Sequence, residues 1–285
     1  MKAGKARDRF REILHGQQCV YPASVFDPIS ARLAQDAGFE VGMFAGSTAA
    51  MSVLAAPDLI VLTLTELAEQ ARRICRASNL PVLVDADHGY GGVLNVRRTV
   101  EELENAGIAA LTIEDTLLPA PFGASGKAAL IPVQEGVAKM RAALSARTDP
   151  ALAVIGRTSA PQITDMRDTL LRARAYEAAG VDGVFLVGVK SWEQLAEIRA
   201  AIKIPVLLGN AGAPLMDRER LAGFGVPICL QGHQSMAAVV QALHSTYRAL
   251  RDGAELPPGS LAPPLLMQQA SRAALYEEWL APPGG

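Results

Sequence analysis

The stretch NAGIAALTIED, residues 105–115, packs a helix stop, a strand and two acids into a short length of chain. Gly107 suits the left-handed position just past a helix end, where a residue without a Cβ pays little steric cost. The apolar run after it has strand length, and it ends in Glu114 and Asp115. The same order recurs in DAGFEVGMFAG (36–46), AAGVDGVFLVG (178–188) and AGFGVPICLQG (222–232), with Gly38, Gly180 and Gly225 in the stop position. These are joints between a helix and a following strand.

Segments of helical period lie ahead of the joints, among them TELAEQARRICRAS (65–78), LNVRRTVEELENA (94–106) and TLLRARAYEAA (169–179). The strand candidates are apolar almost throughout, as parallel strands covered on both faces must be. They fall near 19–24, 40–45, 81–85, 109–114, 152–157, 183–187, 205–209 and 226–231. Eight strands alternating with helices over about 250 residues predict an α/β protein of the (β/α)8 TIM-type barrel class, with a doubly wound open sheet as the alternative. The barrel is preferred because polar residues punctuate the C-terminal end of nearly every strand.

The domain reading follows. Residues 1–250 form the barrel with an N-terminal helix, and residues 251–285 are a Pro-rich linker and a C-terminal helix of the same domain. Residues 48–64 carry an extra loop or short helix, and 116–131, TLLPAPFGASGKAALI, read as a flap over the barrel mouth. A last helix so far along the chain suits packing on a neighbouring subunit.

Composition narrows the function. Lys plus Arg (27) nearly balances Asp plus Glu (29), so a net charge of −2 offers no field for nucleic acid or an anionic membrane. The start, MKAGKARDRFREILHG, lacks an apolar signal core, and no window approaches the ~18 apolar residues of a membrane span. The expectation is a soluble, cytoplasmic protein. Cys19, Cys75 and Cys229 are odd in number and far apart, which supports neither a disulfide framework nor a thiolate zinc site.

In LPVLVDADHGYGGV (80–93) a buried strand runs into Asp85, Asp87 and His88. A barrel gathers its strand ends at one face, bringing in Ser24, Asp27, Gly46, Ser47, Glu114, Asp115, Arg157, Asn210 and His233. Asp85, Asp87 and Glu114 are hard oxygen ligands without a matching His or Cys cluster, a set that selects Mg2+ or Mn2+ over zinc. Each could instead cap a following helix. Arg157 offers a fork for a substrate carboxylate or pairs with one of the acids. Gly46 and Ser47 could present backbone N–H groups and a hydroxyl to an anion, or form an ordinary turn. His233 could donate to substrate or shuttle a proton, or hold a structural hydrogen bond at a helix start. His88 could support the metal or merely fill the loop; His15 and His244 receive no role.

Together VDADHGYG (84–91), TIED (112–115), GRTSA (156–160), SVFDPISAR (24–32) and AGS (45–47) resemble the isocitrate lyase and phosphoenolpyruvate mutase superfamily over roughly residues 10 to 250. TIEDTLLP and the Gly-His after the last strand make the chain most similar to its oxaloacetate decarboxylase branch. The resemblance implies Asp85 as the Mg2+ ligand, supported by Asp87 and Glu114 partly through water. It also implies Ser47, Arg157 and His233 as substrate contacts. A (β/α)8 barrel whose last helix is exchanged between subunits, in a homotetramer built as a dimer of dimers, is implied as well. The flap reads APFGASGK, without the cysteine of the lyases or the asparagine of the mutases. The expected activity is Mg2+-dependent decarboxylation of oxaloacetate to pyruvate and CO2 through a metal-stabilised enolate. The alternatives are a C–C or P–C bond lyase acting on another 2-keto or 2-hydroxy acid, and a non-catalytic dicarboxylate-binding barrel. Ser159 stands where the superfamily usually has an acid or amide after Arg-Thr, and the 209–214 loop lacks an aromatic residue found in some decarboxylases.

Overall fold

The computed structural model describes residues 2–123 and 128–281. Its eight parallel strands run in chain order around one sheet: β1 (Ala23–Ser24), β2 (Gly42–Phe44), β3 (Val82–Asp85), β4 (Ala110–Glu114), β5 (Ala153–Thr158), β6 (Gly183–Val187), β7 (Val206–Gly209) and β8 (Ile228–Cys229). The ends of the sheet meet. Val20 bridges Ile228 in parallel, its N–H donating to Pro227 O at 2.8 Å while Cys229 N donates to Val20 O at 3.1 Å. Sequential order and this seam make a (β/α)8 barrel and exclude the doubly wound sheet.

Side chains alternate across each strand. Leu83, Ala110, Ile155, Phe185 and Leu207 belong to a core inside the ring. Val82, Val84, Leu111, Ile113, Val154 and Val184 pack outward against helical residues such as Leu67, Val100, Met140 and Ile198. Burial on both faces explains the continuous apolar runs. The helices Val93–Ala106 and Met166–Ala179 end on Gly107 and Gly180, whose φ values of 91° and 95° suit glycine far better than any other residue.

The helix Lys2–Leu14 closes the N-terminal end of the barrel. Phe10 and Leu14 are buried in the inner core, and the Arg7 side chain donates to Ile108 O at 3.0 Å and Glu104 O at 2.8 Å, just ahead of β4. Arg11 does the same for Ala151 O, ahead of β5, at 2.9 Å.

The insertion expected at 48–64 is a helix, Gly46–Leu54, and an irregular return. In the segment expected as a flap, Thr116 bridges Leu130 in antiparallel fashion, and residues 124–127 lie outside the described residues. The C-terminal region differs from expectation in having two short helices, Pro264–Ser271 and Ala273–Leu280, where one was expected. They part at Arg272, whose positive φ of 62° interrupts the helix and whose guanidinium reaches both oxygens of Asp36 at 2.6 Å.

Phe10→Ala should lower the unfolding free energy by about 3–5 kcal/mol in a urea titration, the cost of emptying an aromatic site in a packed core. Leu94→Ala, at a position 80% exposed, should stay within about 0.5 kcal/mol.

Candidate active site

Period-2 alternation places Asp85 on the inward face with Leu83, and Arg157 on the inward face with Ile155. Register then sets neighbours: Asp85 pairs with Thr112, and Glu114 with Arg157. These residues open into a cavity of about 690 Å³ at the C-terminal end of the strands, lined also by Ser47, Asp58, Asp87, Ser159, Gln162, Asn210 and His233.

Each buried carboxylate is held by specific donors. Asp85 Oδ1 accepts from Thr112 Oγ1 at 2.8 Å and from Asp87 N at 3.3 Å, and its Oδ2 pairs with Arg157 Nη1. Glu114 Oε2 accepts from Thr116 Oγ1 at 2.9 Å and lies 3.4 Å from Arg157 Nε. Arg157 thus takes the ion-pairing arrangement weighed for it, over the Phe185 ring at 5.4 Å from the centroid. Among the described residues lining the cavity it is the sole Lys or Arg.

Asp87 sits just past the strand with φ 47°, its carboxylate against the start of the helix Gly46–Leu54. A Cβ at Gly46 would stand 2.6 Å from Asp87 Oδ1, so Gly46 contributes by leaving room for that acid. Burial pushes the Asp87 carboxyl well above its ordinary range, and the Asp85 and Glu114 charges push it further. Burial also raises Glu114, against the lowering pull of Arg157. Asp58, from the irregular return after that helix, is raised by desolvation and then by Asp85. Residues 55–63 carry no strand or motif, so nothing in the sequence marked it.

Several strand-end residues lie elsewhere. Asp115 is completely buried in the helix layer, accepting from Tyr176 Oη at 2.6 Å and Arg172 Nη1 at 3.0 Å. Asp27 caps the helix Pro28–Asp36 through Ser30 N at 2.6 Å. His88 turns away from the cavity, its carbonyl accepting from Lys139 Nζ at 2.9 Å. Ser24 Oγ lies 2.8 Å from His233 Nδ1.

No three His, Cys, Asp or Glu among the described residues form a ready metal cage. Asp85, Asp87, Glu114 and Asp58 nevertheless crowd four carboxylates around one guanidinium, and desolvation makes ionising Asp87, Glu114 and Asp58 costly. A hard divalent cation relieves that cost. Mg2+ binds through one or two carboxylates and keeps several waters, so the donor set fits it without a cage.

The family model described as phosphoenolpyruvate phosphomutase matches residues 10–251. An oxaloacetate decarboxylase of Bradyrhizobium diazoefficiens is 57% identical over 255 residues, covering 90% of this chain and 88% of its own. One from Rhodopseudomonas palustris strain BisB18 is 52% identical over 275 residues, covering 95% and 94%. Among solved structures, oxaloacetate acetylhydrolase with the inhibitor 3,3-difluorooxalacetate superposes with a TM-score of 0.85 at 28% identity, covering 96% of both chains.

Burial, and then the Lys139 charge, lower the His88 imidazole from 6.5 to about 4. Between those values the unfolded chain takes up a proton that the folded one refuses, so stability falls as pH drops through the window. Urea midpoints at pH 7.5 and 5.0 should therefore differ less in His88→Gln than in the parent. An equal difference would mean that His88 is protonated in the fold.

Proposed function

The chain belongs to the phosphoenolpyruvate phosphomutase family, and from that footing we propose that it decarboxylates oxaloacetate to pyruvate and CO2, with Mg2+ or Mn2+ as cofactor. The observation that carries the reading is the cavity itself, in which Arg157 stands among buried carboxylates suited to a hard cation. The decarboxylases at 52% and 57% identity support the choice of substrate. So does the absence of cysteine among the described lining residues. Cys19 and Cys229 are instead buried in the packed core, with burial raising their thiols to about 11 and about 12. Decarboxylation needs no thiolate base, since departure of CO2 itself leaves the electron pair behind.

Asp85 would hold the metal, supported by Asp87 and Glu114. When bound, the ion supplies Lewis-acid polarisation of the keto oxygen. Arg157 contributes fixed positive charge where negative charge develops as the C3–C4 bond breaks and its electron pair spreads toward the C2 oxygen. Ser47, in the first turn of the helix Gly46–Leu54, offers a hydroxyl to the C1 carboxylate at the positive end of the helix dipole. Phe185 and Val187 keep the inner wall apolar, which strengthens these contacts. Proton delivery to C3 completes pyruvate, with His233 as the group placed to orient the substrate and assist.

The working assembly we propose is a homotetramer in which the C-terminal helices are exchanged between subunits. Its support is the helix Gln234–Asp252, which has no buried residue and leaves Val239, Val240, Leu243, Tyr247 and Leu250 exposed on the single chain. Light scattering should return four times the chain mass of 30.1 kDa; a monomer would sink the exchange.

Pyruvate release from oxaloacetate, corrected for metal-catalysed background, should require Mg2+, vanish in EDTA and vanish in Asp85→Ala. Arg157→Ala should lower kcat by ~10² or more, the loss expected for one key contact to developing charge. Turnover of a different 2-keto or 2-hydroxy acid in place of oxaloacetate would move the reading to a lyase of the same family.

A further inference from the structure

At the seam where the last strand meets the first, Ser24 Oγ and His233 Nδ1 lie 2.8 Å apart. Ser24 ends β1, and His233 follows β8 immediately before the helix Gln234–Asp252. Ser24 is itself anchored, its backbone paired to Met43 of β2 and its carbonyl accepting from Ser235 Oγ at 2.8 Å. The histidine lines the cavity. With Nδ1 engaged, Nε2 is the ring nitrogen left for the cavity.

The charged groups around the ring are the carboxylates of Asp85 and Asp58 and the guanidinium of Arg157. Burial favours the neutral imidazole, which carries a single proton on one nitrogen or the other. A lone pair on Nε2 would face carboxylates and an anionic substrate and be repelled, whereas an N–H there is attracted. With the proton on Nε2, Nδ1 becomes an acceptor, and the Ser24 hydroxyl must donate to it.

We infer that Ser24 is a positioning residue whose hydroxyl donates to Nδ1, fixing His233 as the Nε2–H tautomer and presenting that N–H in the cavity as a donor for a substrate carboxylate. The choice of substrate rests on the proposed function; the tautomer does not.

The test labels histidine with 15N and compares parent, Ser24→Ala and Ser24→Thr at about pH 8.5, two units above the ordinary imidazole pKa, with His233→Gln to assign the resonances. The parent should show a protonated Nε2 and an unprotonated Nδ1 for residue 233. Ser24→Ala should move both toward averaged values, and Ser24→Thr should restore them. In the same proteins kcat/KM for oxaloacetate should fall about tenfold in the alanine variant, the size of one lost neutral hydrogen bond, and return to within about twofold in the threonine variant, with Tm unchanged in both. A proton on Nδ1 in the parent, or an unaltered tautomer in Ser24→Ala, would overturn the assignment whatever the rates. A parent without oxaloacetate turnover would remove the proposed function while the nitrogen shifts still decide the role of Ser24.

Discussion

The guanidinium of Arg157 stands between two buried carboxylates, those of Asp85 and Glu114, and the barrel mouth is organised around that contact. Asp85 and Glu114 belong to neighbouring strands, and Arg157 to the next. Two acids and one base at this depth are acceptable because each acid also has a hydroxyl donor, Thr112 for Asp85 and Thr116 for Glu114. Removing the cation would leave two buried anions sharing a wall, and removing either acid would leave the cation short of a partner. The arrangement is therefore a property of the set.

That contact depends in turn on register. A slip of one residue between β4 and β5 would turn Arg157 into the helix layer and bring Gly156 to the mouth. The apolar residues preceding the charged ones prevent this, since Ile155 and Leu83 must stay inside while Val154 and Val84 stay outside. Packing below thus specifies chemistry above. The opposite end is closed by Phe10 and Leu14 and by arginines bonded to strand-leading carbonyls, so the elements that secure the ring are separate from those that open into the cavity.

Much of this is legible in the sequence, and what is not has physical reasons. Eight apolar runs, four of them behind a glycine stop, announced the barrel, and polar strand ends announced its mouth. Period 2 already implies that if Glu114 faces in, Asp115 faces out, and Asp115 is found with Arg172 and Tyr176 in the helix layer. Gathering both into one mouth ignored that alternation. Asp87 obeys no period because it lies beyond the strand at positive φ, where alternation no longer sets its direction and it packs against Gly46. Asp58 had no local signal, as a lone acid in an irregular segment enters a site only through the path of the chain.

The seam between β8 and β1 shows how closure and chemistry meet. A barrel has to join its ends somewhere, and here the joining pair, Val20 with Ile228, lies low in the ring. Both segments then continue past the last backbone bond of the seam toward the mouth, where strand hydrogen bonding no longer sets their spacing. Ser24 and His233 meet at that point, and Ser235 ties the same loop back to the Ser24 carbonyl. Side-chain hydrogen bonds thereby take over from the sheet the work of fixing the distance between first and last loops. An imidazole held in this way stays oriented because the barrel is closed, and it lines the same cavity as the carboxylates gathered by the middle strands.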